Sequence, residues 1–517
     1  MCAYLSGYDP VNLNYIRQGF SVGFRLNYEG ELRSHTCSNL PSVTQHHDIV
    51  AVKIKTEIQA GRIAGPFVTP PFDNFHISPI GLVPKRTPGE FRLIHNLSYP
   101  EGQSVNDGIP TEFKQVHYDT IDDAIYRIKN QKGPVFLAKT DIKSAFRIIP
   151  IHPDDYPLLG FTFDNKFYYD KVLPMGCASS CRIFSAFSTA IKWIAVNKLG
   201  VQAMVHILDD FLLIVEGKNN CAQQLNRFLC FCDKAGIPWV IAKTFGPDQI
   251  LPFIGITLDT LQLEARLPPD KLLKCATLIS NFKTRSKVTL KELQSLIGLL
   301  NFACLVVLPG RPFLRRLIDL TIGFSKPYHH ISLNLAAKAD LTVWESFLVD
   351  FNGVSFFHSE SWVSNKQLKL YTDAAGSLGF AAIFGSHWIF GAWPSSWKAL
   401  HITVLEFYPI VAALFVWGHL WKHSSILFLT DNEALVHVIN KQTSKNPHVM
   451  FLVRMLVLKS LKLNVRFRAK HVRGKLNTLP DLISRFQVEK ARRLAPWLDV
   501  SPTSIPQEVT PEQLQIL

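Results

Sequence analysis

The sequence predicts a multidomain α+β protein, and three observations carry that expectation. The chain has 517 residues, room for about three domains at ~150 residues each. Hydrophobic residues make up 47% and aromatics 11%, enough to build several packed cores and incompatible with disorder throughout. The local pattern changes along the chain. Short strand-like runs mix with helices to residue 260, long helical patterns fill 261–355, and strands and helices alternate again over 368–487.

Residues 1–48 show no clear period and read as an N-terminal extension, without the basic start and apolar stretch of a signal peptide. Apolar Ile49, Val52, Ile54, Ile58 and Ile63 follow a helical pattern that the prolines between Gly65 and Pro71 end. Ile80–Val83 and Phe91–Ile94 are strand-like runs separated by the turn Thr87-Pro88-Gly89. Asp119–Lys129 reads as a helix, Val135–Ala138 as a buried strand running into Asp141, and Ser180–Leu199 as a helix. Ala203–Val215 reads as strand-turn-strand and Cys221–Ala235 as an amphipathic helix. Residues 49–260 thus form one region and 261–355 a helical one, with helices at Leu290–Val307, stopped by Pro309-Gly310, and Ala336–Phe351. Residues 356–367 read as a linker, 368–487 as a second α/β domain, and 488–517 as a flexible tail, with three prolines, three acids and no base after Pro496. The longest apolar run, Leu296–Leu308, is interrupted by Asn301 and too short for a membrane span, so a soluble protein with no membrane partner is expected.

Lys and Arg outnumber Asp and Glu by 55 to 41, giving a net charge of +14. That surplus suits a polyanion, nucleic acid first, although a solvated basic face has the same composition. The nine cysteines are odd in number, irregularly spaced and absent after Cys304. No zinc-type array is present, so reduced thiols in an intracellular, cytoplasmic or nuclear protein are expected.

Two groups of carboxylates stand out. Asp209-Asp210 lies between the apolar runs Ala203–Leu208 and Phe211–Val215, which places it in a hairpin turn. Taken alone the pair also suits an exposed turn, where Asp is common. Asp141, at the end of another apolar strand, could meet it across a sheet. Three such oxygen donors can hold two Mg²⁺ ions about 4 Å apart, the arrangement of phosphoryl transfer. The series Asp141-Ile142-Lys143-Ser144-Ala145-Phe146, Leu173-Pro174-Met175-Gly176, Ile207-Leu208-Asp209-Asp210, Ala242-Lys243-Thr244 and Phe253-Ile254-Gly255-Ile256 resembles the ordered motifs of retroelement reverse transcriptases.

The resemblance implies a right-hand polymerase with fingers, an antiparallel-sheet palm and a helical thumb. It implies that Asp141 and Asp209 ligate the metals and that Asp210 assists. Lys85 and Arg92 would hold the triphosphate, Phe146 would exclude a ribose 2′-hydroxyl, and Met175 and Gly176 would lie at the nascent pair. Lys243 would protonate the pyrophosphate leaving group. Phe253, Ile254, Gly255 and Ile256 would form the strand that grips the primer.

In the second α/β region Asp373 ends a strand, Glu406 lies in a helical pattern, Asp431 follows a strand, and Asp481 opens a helix ten residues after His471. Singly each acid could be a cap or a surface residue. In this order they resemble ribonuclease H. That implies two Mg²⁺ ions (or Mn²⁺) at the scissile phosphate of RNA in an RNA–DNA hybrid, with His471 aiding proton transfer from a mobile loop. Gly61–Phe67, Ser104-Val105-Asn106-Asp107-Gly108 and Leu293–Arg316 further resemble tyrosine-recombinase-type (DIRS-like) retrotransposons. Protease, zinc-knuckle, integrase and recombinase motifs are absent, so the chain reads as one segment or reading frame of an element, partnered by other element-encoded proteins such as a recombinase. The expected partners are RNA template, DNA primer, hybrid and deoxynucleoside triphosphates. Two alternatives stay open: an inactive nucleic-acid-binding remnant, and a nuclease whose polymerase half is only a scaffold.

Overall fold

The computed structural model describes residues 1–85, 89–350, 354–356, 363, 365–422, 424–463, 465–471 and 477–514. The chain divides into two units, Met1–Gln262 and Leu263–Leu517. The expected turn at Thr87-Pro88 lies outside the described residues, as does most of the expected linker over 356–367.

The first unit begins with α1 (Pro10–Val22), capped by the Asp9 carboxylate accepting from Asn12 N at 2.9 Å. Next come α2 (Pro41–Gln45), α3 (His47–Gln59), β1 (Ile63–Phe67), β2 (Ile80–Pro84), β3 (Phe91–His95) and α4 (Ile121–Lys129). α4 starts at a capping box in which Thr120 and Asp123 satisfy each other's backbone N–H groups. The remaining elements are β4 (Val135–Asp141), β5 (Gly160–Phe163), β6 (Lys166–Asp170), α5 (Ser180–Asn197), β7 (Met204–Ile207), β8 (Asp210–Glu216), α6 (Lys218–Lys234), β9 (Phe245–Asp248), β10 (Ile250–Phe253) and β11 (Ile256–Asp259).

Four strands form an antiparallel sheet in the order β7-β8-β4-β9. Phe211, Leu213 and Val215, alternate residues of β8, enter one core with Ile183, Phe184, Phe187 and Ile191 of α5 and Phe228 of α6. Burying each such side chain contributes about 1.5–3 kcal/mol over leaving it exposed. Leu5, Ile16, Phe24 and Leu26 belong to the same core. The first 48 residues are therefore part of this unit and not an appendage; their apolar residues are too sparse to show a period, but these four reach the core. A second sheet, β1-β6-β5, packs with Val50 and Ile54 of α3 and with Ile80 and Leu82 of the β2/β3 hairpin.

The second unit runs through β12 (Glu264–Arg266), α7 (Pro269–Thr284), β13 (Lys287–Thr289), α8 (Leu290–Ala303), α9 (Arg315–Asp319), β14 (His330–Ser332), α10 (Leu335–Asp350) and β15 (Val354–Phe356). α8 ends before the expected Pro309-Gly310 stop; Val306 and Val307, both 1% exposed, leave the helix to pack inward. After α11 (Asn365–Leu368) come β16 (Leu370–Ala375), β17 (Gly379–Phe384), β18 (His387–Ala392), α12 (Ile402–Trp417), β19 (Ser425–Thr430), α13 (Glu433–Lys441), α14 (Pro447–Leu463), β20 (Arg466–His471), α15 (Thr478–Ser484) and α16 (Val488–Leu494). β16-β17-β18 is an antiparallel sheet, and β19 pairs parallel with β20.

α12 is apolar on every face and serves as the core helix of this region. With the turn that follows, Ile402–Trp421 is by length and composition apolar enough to cross a membrane, but 78% of its most apolar window is buried within the protein. The expected flexible tail is packed as far as it is described. Ala491, Ala495 and Leu498 join a core with Ala381 and Trp388, and the Tyr408 hydroxyl donates to Val509 O at 2.8 Å. Its prolines break helices but do not prevent docking.

Candidate active sites

The first carboxylate group sits at one end of the four-stranded sheet. β4 and β8 run antiparallel in a register that sets Asp141 opposite Asp210. Ile207 pairs with Asp210 across the β7/β8 hairpin, so Leu208 and Asp209 form its two-residue turn, with Leu208 at φ 52°. Ile142 N donates to Asp209 O at 3.1 Å and fastens that turn to the end of β4. Asp141 is 6% exposed, while Asp209 and Asp210 are half-buried.

Burial raises the pKa of Asp209, with Asp141 adding and Lys243 and Arg92 opposing. Burial, then Asp209 and Asp141, push Asp210 up to about 6. These carboxylates are close enough to repel one another, the condition that a hard divalent cation relieves. Among the described residues no three acidic, histidine or cysteine groups converge tightly enough to enclose an ion. The donors instead line one edge, and Lys243 Nζ donates to Asp141 Oδ2 at 2.6 Å. That bond raises the lysine's pKa. Lys243 is thus a counter-ion of the first acid. Oxygen chemistry and mutual repulsion fit Mg²⁺, with Asp141, Asp209 and Asp210 as the residues that would hold it.

Lys139 was not singled out in the sequence, although it stands two residues before Asp141 and so shares its face of β4. Its Nζ donates to Pro252 O at 2.6 Å and lies 5.1 Å from the Phe245 ring centre. Burial lowers its pKa against the pull of Asp210 and Asp141.

The expected nucleotide contacts are divided. Arg92, on β3, is near enough to lower the pKa of Asp209. Lys85 is exposed and bonds Glu90 at 3.1 Å across the end of the β2/β3 hairpin. Phe146 follows Asp141 in a short 3-10 turn and packs on Phe184 at 5.3 Å between ring centres. Met175 is 41% exposed. A Cβ at Gly176 would fall 1.8 Å from His95 O, so the first demand for glycine there comes from the protein's own backbone.

Phe253 to Ile256 is not a strand. Phe253 ends β10 and Ile256 opens β11 as a hairpin pair, and Ile254 and Gly255 are the turn, with φ 41° and 82°. The β-branched Ile254 disguised the turn, because that residue type favours strands and rarely takes positive φ.

In the second unit Asp373 lies on β16 opposite Ala381, Glu406 on α12, Asp431 just after β19, and Asp481 in the first turn of α15. Asp373 Oδ2 accepts from Ser484 Oγ at 2.6 Å, Glu406 Oε2 from Asn432 Nδ2 at 2.7 Å, and Asp481 Oδ1 from Arg485 Nε at 2.8 Å. Burial raises the pKa of Asp373, with Asp481 and Asp431 adding. Burial likewise raises that of Glu406, with Asp431 and Asp373 adding and His401 opposing. Asp373 thus lies within electrostatic reach of each of the other three acids, and their oxygens suit the same hard cations.

His471 departs from expectation. It is the last residue of β20, paired with Thr430, and not part of a loop. The alternation Arg466–His471 extends the strand through it, and the basic run beyond, 472–476, lies outside the described residues. The histidine that bears on Glu406 is His401, the cap of α12, whose Nδ1 accepts from Thr403 N at 3.2 Å. Asn432 could have been found as an N-cap directly after Asp431; nothing in the sequence marked Ser484.

Residues 83–258 match the family model described as Reverse transcriptase (RNA-dependent DNA polymerase). The chain is 21% identical over 364 residues to the genome polyprotein of Petunia vein clearing virus (isolate Shepherd), which takes in 67% of this chain and 15% of that polyprotein. It is 30% identical over 227 residues to the Pro-Pol polyprotein of Simian foamy virus type 1, covering 44% of this chain and 18% of the relative. The aligned parts thus span less than a fifth of the length of these curated relatives. In fold the chain is similar to the foamy viral protease-reverse transcriptase solved in complex with RNA/DNA hybrid, with a TM-score of 0.52 and 15% identity over 93% of this chain and 59% of that one. The fold class is accordingly mixed helix and sheet, multidomain and of reverse transcriptase type.

Proposed function

We propose that this chain, with its reverse transcriptase domain of retroelement or viral type at residues 83–258, is an RNA-directed DNA polymerase joined to a ribonuclease H. The observation that carries the reading is the register that sets Asp141 opposite Asp210 with Asp209 in the adjoining turn, inside the matched segment. Asp141 and Asp209 hold the metal side of the polymerase site and Asp210 supports them. Two Mg²⁺ ions, or Mn²⁺, would there activate the primer hydroxyl and stabilise the leaving oxygen. Arg92 and Lys85 neutralise the triphosphate. Phe146, braced on Phe184, presents the wall that selects deoxynucleotides. Lys243 is the proton source nearest the first acid.

In the second site Asp373, Glu406, Asp431 and Asp481 form the metal-holding set for hydrolysis of RNA paired to DNA. Ser484 and Asn432 orient Asp373 and Glu406. The pair of activities would serve replication of a DIRS-like retrotransposon inside the cell, with a separately supplied recombinase for insertion.

The test is extension of a DNA primer on an RNA template with Mg²⁺, beside cleavage of an RNA–DNA hybrid. Asp209→Asn should abolish extension and spare cleavage; Asp373→Asn should do the reverse. Extension that survives Asp209→Asn would remove the polymerase assignment. Hybrid cleavage by a wild type that never extends would favour the nuclease alternative.

A further inference from the structure

We infer that Asn106 is a positioning residue for the incoming nucleotide, because its one amide grips the backbone at Gly176 and at Ala178, where the Met175–Gly176 turn leads out. This rests on the polymerase reading and deepens it. Asn106 Nδ2 donates to Gly176 O at 2.8 Å, and its Oδ1 accepts from Ala178 N at 2.8 Å. Nδ2 also donates to Ser98 Oγ at 2.8 Å, and Asn106 N donates to Leu97 O at 2.9 Å, which ties the clamp to the segment just after β3.

The opposite side of the turn is blocked. Gly176 lies so close to His95 that a Cβ would collide with the His95 carbonyl. His95 is itself fixed: Nε2 donates to Gly160 O at 3.1 Å, and Nδ1 lies 3.1 Å from Asp170 Oδ2. Asp170 in turn holds Arg147 at 2.7 Å, the residue after Phe146. Leu173 N donates to Ile149 O at 2.9 Å, just beyond the same 3-10 turn.

The Met175–Gly176 turn, the Phe146 turn and the strand bearing Arg92 are thus joined in a closed ring of contacts, in which the Asn106 side chain grips two backbone groups, Gly176 O and Ala178 N. A single planar amide offers a donor and an acceptor on separate atoms; an ionised aspartate lacks the donor and alanine lacks both. A nucleotide packed on this turn meets a surface already in place, so less is lost to ordering on binding.

The test compares the full wild-type chain with Asn106→Asp, which keeps shape and acceptor but loses the donor to Gly176 O. Steady-state extension should show KM for the deoxynucleotide raised about tenfold, kcat changed less than about threefold, and KM for primer–template unchanged. A role in stability alone predicts a lower melting temperature with deoxynucleotide KM unmoved, and that result overturns the inference. Should Asn106→Asp fail to fold, Ser98→Ala, at an exposed site, carries the test with a rise of about two- to threefold; no rise overturns the inference. A wild type that does not extend at all removes the polymerase reading and the clamp together, whereas normal wild-type extension with unmoved KM in the variants removes the clamp alone.

Discussion

At Asp210 burial, Asp209 and Asp141 all disfavour the charge and raise its pKa from 3.8 to about 6. The sign follows from that direction. Below the unfolded value the group is neutral in both states and has no effect. As pH rises through the folded value the unfolded chain holds fewer protons, so stability falls across that window. Asp210→Asn should therefore stabilise the metal-free protein by about 1–2 kcal/mol near neutral pH, after discounting for solvent screening. The gain should vanish below about pH 4. Denaturant melts in EDTA across that range measure it, and excess Mg²⁺ should reverse the difference because a ligand has been lost. At Gly176 the neighbour is backbone that cannot move aside, so Gly176→Ala should cost about 2 kcal/mol or more, read as a lower denaturation midpoint. The carboxylates of this site were legible because apolar runs marked the strands around them. The contact of Asn106 with Gly176 was not, because it joins loops 70 positions apart with no periodic signal in either.

The element most misjudged from sequence is the segment after residue 487. Proline and acid suggest solvent, but backbone bonds tie it in place: Thr503 N donates to Trp388 O at 2.7 Å, and the Trp388 indole donates to Asp499 O at 3.0 Å. Truncation after Gln487 should remove the cover of Trp388 and Ala381 and lower the second unit's stability by several kcal/mol, on the order of two or three buried apolar side chains. Limited proteolysis and hybrid cleavage of the truncated chain check it; unchanged resistance and activity would contradict the packing. The start of α8 at Leu290 was legible, and the structure closes it with a Thr289–Glu292 capping box. The β10/β11 turn was not, because Ile254 takes a conformation that its type disfavours.

For the whole molecule, the surplus of +14 sets the expected response to ions. Affinity for an RNA–DNA hybrid should fall by about a thousandfold or more between about 50 and 200 mM salt, the behaviour of a protein neutralising several phosphates. A filter-binding series measures the slope, and a flat response would argue against a phosphate-tracking surface. The chain's division at Gln262 has a further consequence. Asp141, Asp209 and Asp210 come from the first side of that point and Asp373, Glu406, Asp431 and Asp481 from the second, so under the proposed function a change in one set of acids leaves the donors of the other in place.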